Sequence, residues 1–520
     1  MSAGDRATQY IGWEYFRKDL WRWPIGLNPN YGMEFSSSII LSDSIPLAAV
    51  FFKFFRFLLP DSFQYFGLWI LLCFVLQSYF FFAITKTISG DIRVSFIAGI
   101  LSIFLPPFLW RIAHHTSISA HWIILAALLV YVTQPIGDRR RALKWIGIIG
   151  VSTSIAAYLL AMVFLIWLAD IWQRKIQNTL NVRSLLSELT ASFIVIFAVL
   201  WVLGFFPIHA GYLSGGYGSH GLNIFSIINP QGLQNDVNDK WSYFIPSLGQ
   251  REGDYEGFNY FGLGAGILTF SGIIIWAINR QISIPQRYHP LFFANLCFFI
   301  FAISNQVGIG DYQFTYWVPD IGVKIASTMR ASGRFFWPVF YSSILLSIWV
   351  WYKFFPKKFF IILFFLTIVQ VIDTNSGWKY LRSSFHPEVN LEKFAFPKVV
   401  DCLSRGYDKT RKLPAENAGK NWERIAFFSV THGKPTDSIY MARINEPAYQ
   451  KYRMNLSENI VNRNLDHDAI YFINHEYYSL ISKKMGNEDL AIKVDEDLYI
   501  YVNKKFLSKS SAINECLYEK

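Results

Sequence analysis

The chain has 520 residues, 52% of them hydrophobic and 18% aromatic, with only 16% charged and a net charge of +11. A soluble domain carries about 25% charged residues, so this composition excludes an ordinary globular chain and points to a multi-spanning membrane protein with some soluble mass attached. No zinc-finger spacing, helix-turn-helix signal or basic tail accompanies the charge, so nucleic acid is not an expected partner; short loops hold much of it, where it sets topology.

Residues 1–44 open with "MSAGDRATQYIGWEYFRKDLWRWPIGL" and hold Asp5, Glu14, Glu34 and Asp43 beside Trp13, Trp21 and Trp23. No basic cap precedes an apolar run, so this is not a signal peptide. Tryptophan favours the headgroup level of a bilayer. A carboxylate at that depth is partly desolvated and suited to general-base work, which makes Asp5 a candidate base. The competing reading is a solvated amphipathic segment. Asp43, in "SDSIP", is either a second candidate or the N-cap of a helix starting near Ile45. The stretch 45–60 carries Lys53 and Arg56 three apart on one helical face, which predicts an interfacial helix.

Apolar runs then predict spans at 63–84, 93–110, 117–133, 189–206, 258–278, 288–304, 335–353 and 358–373, and a helical hairpin over 144–170. Arg139, Arg140, Arg141 and Lys144 mark one cytoplasmic loop; Arg174, Lys175 and Arg183 mark the next. Arg280 and Arg287 flank a third, and Lys353, Lys357 and Lys358 a fourth. Alternation places 1–44, 111–116, 207–257, 305–334 and everything after 373 outside. "RIAHHTSISAHW" puts Arg111, His114, His115 and His121 at an outer edge. His115 and His121 do not share a helix face, so this is no H-x-x-x-H metal pair. They line an outer cavity or pack as interfacial side chains. In the 207–257 loop, glycines surround His209, Tyr212, Tyr217, His220 and Asn223, a sugar-binding surface or a plain flexible loop. In "STMRASGRFFWP", Arg330 and Arg334 lie four apart, near Lys324. Guanidiniums outside oppose the positive-inside trend, and a lipid phosphate is a natural partner for their planar forks. Snorkelling is the alternative.

Residues 391–520 are richer in charge and predict a small α/β or α+β domain. "RIAFFSV", "DAIYFI" and "LYIYVN" read as strands, and "EYYSLISKK" as a helix. Cys73 and Cys297 sit in apolar runs. Cys402 and Cys516 lie in the C-terminal region, where an outside location would let them pair. No Cys/His spacing indicates structural zinc.

Taken together, "GDRATQYIGWEYFR", "WRWPIG", "SSSIILSDSIPL", "FQYFGLW", the H-x5-HW stretch and "RASGRFFWP" resemble an uncharacterised bacterial family of integral membrane proteins grouped with the GT-C-type glycosyltransferases. The resemblance covers roughly residues 3–380. It implies an all-α multi-span bundle over 45–380, a small extracytoplasmic C-terminal domain, and a location in the cell (inner) membrane. It also implies a helix ahead of residue 1, with Asp5 in the outer loop that follows as base or metal ligand. The implied reaction moves a sugar from a polyprenyl-phosphate carrier, a membrane lipid, to a glycan or lipid acceptor during cell-envelope glycan biosynthesis. Arg330, Arg334 and Lys324 would hold the donor phosphate. Asp5, or Asp43, would take the acceptor's proton. Arg111, His114, His115 and His121 would orient substrate. A divalent metal is an open expectation of the resemblance. Two other functions fit the sequence: a transporter or flippase of lipid-linked glycan, which predicts inverted repeats and polar groups at mid-membrane, and a non-catalytic assembly protein.

Overall fold

The computed structural model describes residues 4–35, 37–133, 138–206, 216–234, 236–279, 283–385, 394–441, 443–462, 464–483, 485–486 and 489–503. Its helices are α1 (Asp5–Lys18), α2 (Pro46–Phe54), α3 (Phe66–Ser89), α4 (Ile92–Ser102), α5 (Pro106–His114), α6 (Trp122–Val132), α7 (Asp138–Thr153), α8 (Ala157–Ile176), α9 (Val182–Val202), α10 (Leu263–Ile278), α11 (His289–Ile303), α12 (Asp320–Ala326), α13 (Trp337–Phe354), α14 (Phe359–Phe385), α15 (Lys398–Ser404), α16 (Trp422–Thr431), α17 (Glu446–Asn462) and α18 (His475–Ser482). The strands are β1 (Gln306–Ile309), β2 (Tyr312–Thr315), β3 (Lys409–Leu413), β4 (Ala469–Asn474), β5 (Asp489–Lys493) and β6 (Leu498–Asn503). The chain divides into two units: an α/β unit of residues 1–64, 200–211 and 387–520, and a helical unit of 65–199 and 212–386.

In the helical unit, α3 packs on α4, α6 and α13, while α10 packs on α13 and α14. Among the described residues, five segments are long and apolar enough to cross a membrane: Phe66–Ser89, Ile92–His114, Val182–Val202, Ser332–Phe354 and Phe359–Ser383. The shorter apolar helices Thr116–Val132 and Leu263–Ile278 account for two more expected spans. The run expected at 93–110 breaks between α4 and α5, where Leu105 is extended and Pro106 and Pro107 lack amide donors. The expected hairpin at 144–170 is α7–α8. Its buried Asp170 carboxylate accepts from Arg141 Nε (3.1 Å) and Trp145 Nε1 (2.8 Å) and lies 3.0 Å from Arg174 Nε, and Arg174 also holds Glu188 of α9 at 2.8 Å.

The α/β unit has one mixed sheet of order β3-β4-β6-β5. β3 and β4 are parallel, with Thr410 opposite Ile470; the other pairs are antiparallel. The N-terminal 64 residues belong to this unit. Ala7, Ile11 and Tyr15 form an i, i+4, i+8 stripe on α1 that joins Leu413, Ala426, Val430 and Tyr471 in one core. Glu34 binds Arg411 of β3 through both carboxylate oxygens, at 2.6 and 2.7 Å.

Two sequence expectations are corrected here. "RIAFFSV" is helical, inside α16, with Ile425, Ala426, Phe428, Ser429 and Val430 all buried. Asp43 does not cap α2. Ile45 is the N-cap residue, at φ 52°, with no side-chain cap bond. Lys53 of α2, the helix expected to be interfacial, is buried, donates to Leu20 O at 3.4 Å and sits 4.0 Å from the Phe16 ring centre, while Leu47, Phe51 and Phe54 of the same helix are exposed. "DAIYFI", "LYIYVN" and "EYYSLISKK" fall on β4, β6 and α18 as read. Cys402 is disulfide-bonded, whereas Cys73 and Cys297 are free. Cys516, Arg280, His209 and Tyr212 lie outside the described residues.

Candidate functional site

The polar centre of the helical unit is Glu256, in a 3-10 turn over Asp254–Gly257. Arg111 of α5 donates to its Oε2 at 2.7 Å and to its backbone carbonyl at 2.6 Å. Arg334, in a 3-10 turn over Ser332–Phe336 ahead of α13, donates Nε at 3.0 Å and Nη2 at 2.9 Å. His115 Nε2 lies 3.3 Å from Oε1. Glycine makes this convergence possible. A Cβ on Gly333 would fall 2.5 Å from the Gly257 Cα, and one on Gly257 would fall 2.5 Å from Gly221 O, so three backbone segments meet where side chains would separate them. Burial pushes the Glu256 carboxyl up, but Arg334, Arg111 and the His115 hydrogen bond outweigh it and hold the carboxyl well below its usual range.

Aromatic rings fix both guanidiniums. Arg111 lies 4.5 Å from the Trp110 ring centre and 5.3 Å from that of Trp337; Arg334 lies 4.6 Å from that of Tyr158. Trp110 also donates to the buried Asp239 carboxylate at 2.9 Å, as do Trp241 (2.7 Å) and the Leu233 amide (2.7 Å). Burial still leaves the Asp239 carboxyl raised, with those three donors opposing it. The His114 ring lies tilted against Trp110, with centres 4.2 Å apart, and its Nε2 is 4.0 Å from Asp239.

Arg330 differs from Arg111 and Arg334. It is exposed, and among the described residues no hydrogen bond or ion pair engages its guanidinium. Its stem packs against Gly216. Tyr255 is half-buried beside it. Burial raises the phenol pKa and Glu256 adds to the rise, while Arg330, Arg334 and Arg111 all lower it. The Arg330, Arg334 and Arg111 guanidiniums and the Glu256 carboxylate all act on that hydroxyl.

The sequence candidates therefore divide. Arg111, His115 and Arg334 meet on Glu256, and His114 meets Asp239. His121 is buried, bonded through Nδ1 to Tyr341 Oη at 2.8 Å and stacked on Trp337 at 4.1 Å. Lys324 is exposed on α12. Asp5 and Asp43 belong to the α/β unit. Asp5 stands in the first turn of α1, one turn before Gln9, whose amide donates to Asp43 at 3.3 Å. Asp43 itself is left-handed (φ 54°), as is Ile45, backbone that costs roughly 1–3 kcal/mol per residue and gathers at functional positions. In the glycine-rich loop Asn223 donates to Asp254 at 2.8 Å and to Gly310 O at 2.7 Å, and Tyr217 donates to Phe301 O at 3.3 Å.

A family model for the domain of unknown function DUF6311 matches residues 1–375, and one for the DUF6311 C-terminal domain matches residues 400–503. The chain belongs to the DUF6311 family. No curated protein matches it. Glu256 and Asp239 of this DUF6311 chain are not among the residues that the sequence alone singles out. The available signal was an acid in "DYEGFNYFG" immediately before an apolar helix. Among the described residues no three His, Cys, Asp or Glu side chains converge as a metal site.

Proposed function

We propose that this DUF6311 chain is a multi-pass membrane glycosyltransferase of GT-C type, which moves a sugar from a polyprenyl-phosphate donor to an acceptor at the outer face of the cell membrane. The observation that carries the reading is the unbalanced positive charge beside Tyr255. Arg111 and Arg334 are neutralised in part by Glu256, and Arg330, next to them, has no ion-pair partner among the described residues. A polyprenyl phosphate combines an anion for such a cluster with an apolar chain for the surrounding helices.

In this mechanism Arg330 binds the donor phosphate, with Lys324 adding positive charge. The acceptor oxygen attacks the anomeric carbon, the bond from that carbon to the phosphate oxygen breaks, and the phosphate leaves with the electron pair. The three guanidiniums stabilise the charge that grows on it. Glu256 is a positioning residue: held far below its ordinary range, it is a poor base but a rigid anchor for Arg334 and Arg111. His114 and His115, both half-buried, orient the donor. The proton of the acceptor passes to Asp5, or to Asp43, a role that rests on the family resemblance.

Equilibrium binding tests this reading. Purified full-length protein in detergent should bind polyprenyl phosphate in preference to neutral polyprenol, and Arg330→Ala should erase the preference. Equal binding of the two lipids by the wild type would refute it.

A further inference from the structure

A second feature of the helical unit lies at the other end of α11 from the polar cluster. A cavity of about 290 Å³ is walled by α3, α6, α11 and α13, with Ile84, Leu128, Leu291, Leu345 and Trp349 among its side chains. That volume is at the lower edge of the ~300–1,000 Å³ typical of small-molecule sites, so it suits one slender apolar chain. Arg287 also lines it.

Arg287 is the exception among its kind. Arg111, Arg141, Arg174, Arg251 and Arg334 of the helical unit are buried or half-buried, and each has a carboxylate within 3.0 Å. Arg287 is half-buried too, yet among the described residues it has no carboxylate partner. Its guanidinium donates only to Tyr288 Oη, at 2.8 Å, and lies 4.7 Å from that ring's centre. Its backbone is nevertheless fixed, because Tyr131 Oη donates to Arg287 O at 2.7 Å. Deeper in the wall, Asn295 donates to Ser342 Oγ at 3.2 Å and to Leu291 O at 2.9 Å. A pinned cation without a counter-charge, at the rim of an apolar slot between membrane helices, calls for an anionic head carrying an apolar tail.

We propose that this cavity binds an anionic phospholipid, with the phosphate on Arg287 and one acyl chain among α3, α6, α11 and α13. The site is separate from the transferase reading and stands if that reading fails. A basic pocket between spans recognises the headgroup by charge, while the slot recognises the chain by shape.

Native mass spectrometry of the full-length protein tests it, with phosphatidylglycerol, phosphatidylcholine, a polyprenyl phosphate and inorganic phosphate as probes. Wild type should retain phosphatidylglycerol over phosphatidylcholine. Arg287→Gln should lower that preference about five-fold, the effect of one basic residue near a lipid headgroup. Arg287→Lys, which keeps the charge but loses the fork, should lower it less. Ser342→Phe, which fills the slot, should reduce retention of both phospholipids. No preference in the wild type, or a preference untouched by Arg287→Gln, overturns the proposal. Displacement by inorganic phosphate alone overturns the role of the chain, and stronger retention of polyprenyl phosphate overturns the phospholipid assignment.

Discussion

Replacing Glu256 by Gln should destabilise the helical unit far more than its size suggests. The substitution keeps the volume of the side chain but removes its charge. Arg111 is 0% exposed and Arg334 8%, so neither guanidinium can recover its hydration. Arg334 donates to each of the two carboxylate oxygens, and Gln presents an NH2 group to one of those donors. Breaking a buried pair from one side costs about 3–5 kcal/mol, because the remaining charge is left uncompensated. The expected loss is therefore about 3–5 kcal/mol, read by denaturant unfolding of the full chain in detergent. Arg334→Met should recover part of it in the double variant, with a coupling of about 0.5–3 kcal/mol between the two sites. A Glu256→Gln protein within about 0.5 kcal/mol of wild type, the range of ordinary surface changes, would refute the placement of this carboxylate between two guanidiniums.

Three further outcomes follow from the same geometry. The Glu256 carboxyl is held below its ordinary value of about 4.3, so its contribution to stability is complete above that pH and is lost as pH falls through the folded value. The acid limb of wild-type stability should thus be steeper than that of Glu256→Gln, and identical limbs would contradict the account. Arg330→Ala touches no ion pair and should leave stability within about 0.5 kcal/mol, yet lower kcat/KM for a polyprenyl-phosphate donor by about 10²–10³, the effect of removing one charge-stabilising donor. In the α/β unit, Arg411→Met should free the N-terminal segment from β3, since it removes both bonds to Glu34. Limited proteolysis should then cut between α1 and α2 faster than in wild type, and an unchanged digestion pattern would contradict that role.

The sequence displayed some of this and hid the rest for physical reasons. "DAIYFI" and "LYIYVN" read as strands because β-branched and aromatic residues crowd a short run, which suits a half-buried pleat. "RIAFFSV" has the same composition but lies in α16, where burial on several sides leaves no polar face to reveal a helical period. Asp43 before a helix looked like a cap. The backbone at Asp43 and Ile45 is left-handed instead, in a segment where Asp43 accepts from Gln9 and Ser42 and Ser44 crowd Gly12 of α1, contacts made 30 or more residues apart in the chain. Arg111, His115 and Arg334 were legible because cations beside long apolar runs are unusual. Glu256 was not, since its partners lie 145 and 78 residues away and only the fold unites them. The same holds for α1, whose core partners come from the last quarter of the chain.

The central claim concerns a lipid-borne sugar, and product analysis tests it most directly. Full-length protein reconstituted in vesicles with a polyprenyl-phosphate sugar and an acceptor extract should release free polyprenyl phosphate in step with sugar transfer, and Arg330→Ala should slow both together. Donor that stays intact with wild type across a panel of sugars, or release that is as fast with Arg330→Ala, would contradict the account.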